Sequence, residues 1–223
     1  MSRHAPAPTA VVRITTSSGA VRVRAEADRT ECWSSVAARD VSPITVDGGS
    51  SAVEVRVPEG TDLVIGTTSG KVTVEGRVGA ISVLTTSGRI SIDHARSVDA
   101  RTKSGRVHVG DAESVCRIVS ASGRVTVDRC GSADAASRSG RVVLADAHGP
   151  VRATSTSGRV SVAVAGAHDV EAETVSGRIE ISYPAGVQPL VVSPDADVTG
   201  ATGGYDCTVV ARSGSGRVVV SDR

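Results

Sequence analysis

The chain has no phenylalanine, and Trp33, Tyr183 and Tyr205 are the only aromatic side chains among 223 residues. A core of that size ordinarily uses large rings. Their scarcity excludes a thick core and points to a narrow one filled by Val, Ile, Ala and Thr. Cysteine is sparse as well. Cys32, Cys116, Cys130 and Cys207 show no C-x-x-C spacing, so a disulfide framework is not expected and the thiols read as reduced, in a cytoplasmic protein. No apolar run approaches the length of a membrane span. Residues 1–10 lack the apolar stretch of a signal peptide and read as a disordered tail. A surplus of charge is also missing: the formal net charge is +1, which removes any global electrostatic case for nucleic acid or an anionic membrane.

What is abundant is one tripeptide. Ser-Gly-Arg, once Ser-Gly-Lys, recurs with its glycine at Gly70, Gly88, Gly105, Gly123, Gly140, Gly158, Gly177 and Gly216. The successive gaps are 18, 17, 18, 17, 18, 19 and 39 residues, the last being two periods. Ser18-Gly19-Ala20 is a degenerate copy. A fixed period of this length marks a repeat architecture.

Aligned on the glycine, the columns are regular. Seven residues before it stand Val12, Leu63, Ile81, Val98, Cys116, Ala133, Val151, Val170 and Val209. Five before stand Ile14, Ile65, Val83, Ala100, Ile118, Ala135, Ala153, Ala172 and Ala211. Three before is always Thr or Ser, and two and four after are branched aliphatics. Period two on each side of the glycine predicts strands. The change of parity across Ser-Gly predicts a corner, so that both strands face one interior. Asp93, Asp111, Asp128 and Asp146 each stand 12 residues before the next glycine and are read as opening a second corner by bonding to the backbone. The alternation of 17 with 18 residues reduces to one extra residue, Gly110 or Ala145, read as a bulge.

These columns predict an all-β, single-stranded parallel β-solenoid (a β-helix) of short two-strand rungs, about 17–18 residues each. It forms one domain over residues 11–223, with irregular segments at 25–58 and 183–206. The alternative is an antiparallel β-sandwich of hairpins. Consensus rungs lie close to both termini, and no capping helix is evident. Either the irregular segments cover the ends, or rungs pair between molecules. The Thr and Ser column is expected to form a hydroxyl ladder that satisfies itself inside the core.

The consensus V-x-A-x-T-x-S-G-R-V-x-V resembles a bacterial β-strand-repeat family of unknown function that carries an adhesin label. Val21 to Arg29 is similar to the opening strand and turn of its actinobacterial members. The resemblance implies a solenoid fold and supplies no catalytic residues. This chain departs from the family pattern in placing Arg or Lys, rather than Asp, after the glycine.

That basic column is the candidate binding row: Lys71, Arg89, Arg106, Arg124, Arg141, Arg159, Arg178 and Arg217. By parity these side chains point outward. Like charges about 4.8 Å apart in water repel by roughly 0.9 kcal/mol before screening. The row reads either as a docking line for an anionic polymer or an acidic protein partner, or as a solvated face neutralised by nearby carboxylates. Nucleic acid is not expected, because no aromatics interleave with the row. Asp99, Arg117, Asp134, Arg152 and Glu171, six before the glycine, alternate in sign and predict cross-rung pairing.

No catalytic residues, cofactor or metal are expected. The Asp column (Asp93, Asp111, Asp128, Asp146) is a weak cation candidate. His4, His94, His108, His148 and His168 share no column. Cys116 reads as an inert core thiol, and Cys130 falls at a corner with no base beside it. The functional expectation is a non-enzymatic scaffold that self-assembles end to end or joins a protein partner. A binding module using the Arg row is the first alternative. A carbohydrate-active or other β-helix enzyme is the second.

Overall fold

A computed structural model describes residues 2–4, 11–39, 43–193, 196–198 and 205–222. The chain is all-β and divides into two compact units, Met1–Glu113 and Ser114–Arg223. The apolar columns of the repeat are buried throughout, as are the Thr and Ser residues three before each glycine. This is a parallel β-solenoid, and the parallel register excludes a sandwich of antiparallel hairpins.

In the first unit the strands are β1 (Ser2–His4), β2 (Val11–Thr16), β3 (Val21–Glu26), β4 (Cys32–Ser34), β5 (Ala38–Arg39), β6 (Ile44–Gly49), β7 (Val53–Pro58) and β8 (Asp62–Thr67), followed by the start of β9 (Val72–Ala147). Like residues stack on like. Val12 pairs Leu63 and Ile14 pairs Ile65 between β2 and β8, and Leu63 pairs Ile81 between β8 and β9. The order of rungs is not the order of the sequence. The rung β2–β3 has β8–β9 on one side and β6–β7 on the other. The irregular segment 25–58 therefore supplies the outer rung. Short antiparallel strands then cover it, β5 on β6 and β4 on β7, with β1 on β4. Within the tail expected at 1–10, Ser2–His4 thus forms a paired strand, while residues 1 and 5–10 lie outside the described residues.

In the second unit, β10 (Val151–Val164), β11 (Val170–Tyr183), β12 (Pro189–Val192), β13 (Ala196–Val198), β14 (Cys207–Ser215) and β15 (Val218–Asp222) follow the end of β9. Val151 pairs Val170 and Ala133, and Gly158 pairs Gly177 and Gly140. The same exchange of order occurs here. The last rung of the sequence, β14–β15, lies between β11 and the strands β12 and β13. The irregular segment again supplies the outermost rung, so neither consensus rung nearest a terminus is an open end.

The corner requires glycine. At Gly158 φ is 152°, a conformation that side chains disfavour, and a Cβ there would run into the carbonyl oxygen of Gly140. The expected bulge is present at Ala145. Val162 pairs Leu144 and Val164 pairs Ala147, so two residues, Ala145 and Asp146, oppose one. At the second corner the chain inserts a further inward column of small apolar residues that the two-strand reading lacked: Val78 and Ala95 in the first unit, Cys130, Ala147 and Val164 in the second. Cys130 is thus a filler of the core and not a corner thiol.

The hydroxyl ladder departs from expectation. Thr85, Thr102, Ser120, Ser137, Ser155 and Thr174 are buried without a hydrogen-bond partner. Stacked backbones sit a rung apart, about 4.8 Å, and an O–H···O bond needs about 2.7–2.8 Å, so identical rotamers on successive rungs leave their hydroxyls out of reach. Among the described residues, members toward the ends of the column do bond, such as Thr16 to Thr67 Oγ1 at 3.0 Å and the Ser213 hydroxyl, which donates to Gly177 O at 3.3 Å.

Candidate functional site

The corner that glycine makes also presents the basic row. Ser and Gly turn the chain, and the next side chain is the last to point outward before the apolar alternation resumes. In the first unit Lys71, Arg89 and Arg106 are exposed. In the second unit Arg124, Arg141, Arg159, Arg178 and Arg217 are exposed, and Arg141, Arg159 and Arg178 occupy matched positions on adjacent parallel rungs. Arg217 follows, with its carbonyl accepting from the Ile179 amide at 2.9 Å. At about 4.8 Å per rung, the guanidinium stems form a line of even pitch.

Pairing separates this row from the other arginines. In the second unit Arg117 lies 3.3 Å from Asp134, Arg129 3.6 Å from Asp146, Arg152 2.9 Å from Glu171 and Arg212 3.3 Å from Glu173. Two of these are the cross-rung pairs expected from the alternating column. In the row itself, Arg178 lies 3.3 Å from Glu180. Arg124, Arg141, Arg159 and Arg217 have no carboxylate partner among the described residues, nor do Lys71, Arg89 and Arg106 in the first unit. Neutralisation by nearby carboxylates therefore does not describe most of the row. Arg138, three residues before Arg141 and also exposed and unpaired, adds a cation that the column alone did not single out.

The Asp column is used differently. Asp111 lies 3.7 Å from His94 Nδ1 in the first unit. In the second, Asp146 lies 2.9 Å from His148 Nε2. A carboxylate-to-backbone bond two residues on occurs outside this column, at Asp47, whose Oδ1 accepts from Gly49 N at 3.0 Å. Among the described residues no group of three or more His, Cys, Asp or Glu is arranged to hold a metal ion.

All four cysteines are buried, and none forms a disulfide among the described residues. Burial pushes the Cys116 thiol well up, with a further contribution from Cys130, so neither the thiolate nor the nucleophile is favoured there. A groove of about 570 Å³ runs over Val115, Pro150 and Val151 beside Asp134, Arg152 and Glu171. Of its charged groups Arg152 pairs Glu171, Asp134 pairs Arg117 beside the groove, and Asp169 Oδ1 accepts from the Thr208 amide at 2.8 Å.

No curated protein and no solved structure matches the chain. The Toastrack DUF4097 family model matches residues 35–217. That span takes in the Ser-Gly-Arg corners from Gly70 to Gly216 and the columns stacked on them, and the chain belongs to this uncharacterised β-repeat family.

Proposed function

We propose that the chain is a non-enzymatic binding module whose basic row docks an anionic polymer or an acidic strip of a protein partner. The observation that carries this reading is selective pairing. Arginines of neighbouring columns, Arg138 excepted, meet carboxylates, while in the row Arg124, Arg141, Arg159 and Arg217 have none among the described residues and only Arg178 is paired. The row costs the fold repulsion and offers it nothing that Ser or Thr would not. An anionic line removes that repulsion on binding, and the association weakens with salt. The buried free thiols accord with a reducing compartment such as the cytoplasm.

The test is binding of long-chain polyphosphate and of poly-glutamate at several salt concentrations. The wild-type chain is expected to bind at least one of them, with affinity falling as salt rises. R124S/R141S/R159S is expected to lose at least ten-fold in affinity while its circular dichroism is unchanged. Equal binding by the variant removes the row from the function.

Self-association is a second reading. It is favoured by β12, which pairs β14 on one side and has no strand on the other among the described residues, and which exposes Leu190 and Val192. Light scattering over a hundred-fold concentration range decides it, and a constant monomer mass rules it out.

A further inference from the structure

The only tryptophan of the chain stands where the period fails. Between β3 and β4 the loop 27–31 replaces the regular return of the coil, and a cavity of about 730 Å³ opens beside it in the first unit. Glu26, Asp28, Arg29, Glu31, Trp33 and Arg56 line it. In repeat proteins such insertions gather on one face, often the binding face. The cavity has the size of a small-molecule site.

Its groups divide into committed and free. Arg29 Nε donates to Glu26 Oε2 at 2.8 Å, and Arg56 Nε lies 3.9 Å from Glu26 Oε1. The Arg56 guanidinium also sits 5.3 Å from the centre of the Trp33 ring. The carboxylates of Asp28 and Glu31 have no ion-pair partner among the described residues, and Trp33 is partly exposed. An anionic ligand would meet the unpaired carboxylates of Asp28 and Glu31, and a cation would use those acceptors but leave the remaining Arg29 N–H donors unmatched. A neutral polyhydroxylated ring offers donors and acceptors to both. Its C–H face packs on the indole, while its hydroxyls donate to Asp28 and Glu31 and accept from Arg29.

We propose that this cavity binds a neutral saccharide, with Trp33 as the platform and Asp28 and Glu31 as acceptors. The site is independent of the basic row.

Because the chain has one tryptophan, its fluorescence reports this site with no other indole contributing. The full chain is titrated with cellotetraose, maltotetraose and chitotetraose, and separately with spermidine and tripolyphosphate. At least one tetrasaccharide is expected to give a saturable change. D28N/E31Q is expected to raise its Kd at least ten-fold, and R124S/R141S/R159S to leave it unchanged. Should the double variant fail to fold, Asp28→Asn alone, at an exposed position, is expected to raise Kd several-fold. The proposal is overturned if no tetrasaccharide gives a saturable change, if spermidine or tripolyphosphate saturates the signal instead, or if the Asp28 and Glu31 variants bind as the wild type does.

Discussion

The Thr16 hydroxyl donates to Thr67 Oγ1 at 3.0 Å across two adjacent rungs, and the Gly70 amide donates to that same oxygen at 3.1 Å. Farther along the column, Thr102 and Ser155 are buried and have no such partner. An unmatched buried hydroxyl costs about 1–3 kcal/mol, whereas a satisfied one contributes about 1 kcal/mol. T102V and S155A are therefore expected to leave stability unchanged or raise it, and T16V to lower it by about 1 kcal/mol. Urea unfolding of the three variants compares them directly. Destabilisation by T102V as large as that by T16V contradicts the assignment.

The exchange of rung order predicts an inverted protection pattern. Residues 207–222 are the last described, yet β14 and β15 have paired strands on both sides, whereas β12 and β13 have one neighbouring strand each among the described residues. Chain ends ordinarily fray first. Here the amides of 207–215 are expected to exchange with deuterium more slowly than those of 190–192, by ten-fold or more. Faster exchange at the terminus would mean that β14 and β15 are the outer rung.

Alkaline pH is expected to destabilise the fold. Burial raises the Cys116 thiol above its ordinary 9.0, and burial with Cys207 and Asp169 raises the Tyr183 phenol above 10.0. The native state holds protons that the unfolded chain releases. This contribution is complete below about pH 9 and is lost as pH rises, at about 1.4 kcal/mol per pH unit for Cys116 alone. C116A, in a column where Ala133 already stands, should flatten the decline between pH 9 and 10.5. A slope identical to that of the wild type dissociates Cys116 from it.

Much of the architecture was legible because one rule repeats. Val151, Val170 and Ala133 share a column in the sequence and a stack in the fold, since rungs of equal length place equal positions above one another. The cross-rung pair Arg152–Glu171 followed from the same register. The column of Ala95, Cys130 and Ala147 was harder to see. Each stands seven residues after a repeat glycine, out of step with the period-two alternation at two and four after it, and Ala and Cys are too small to mark an apolar position by themselves. The pocket at Trp33 left only a trace, a break in the period with a rare residue inside it.

The sequence by itself determined the rung: its two strands, its glycine corner, its inward and outward faces and the outward direction of Arg141 and Arg159. Those are local properties, set by alternation and by what the backbone tolerates at Ser-Gly. Only the tertiary structure decided the order in which rungs stack at the two ends, and which arginines remain without a partner. Stacking order there depends on which segment best covers an open edge, and pairing depends on side-chain reach across rungs. Both are relations between residues far apart in the chain, and neither repeats with the period.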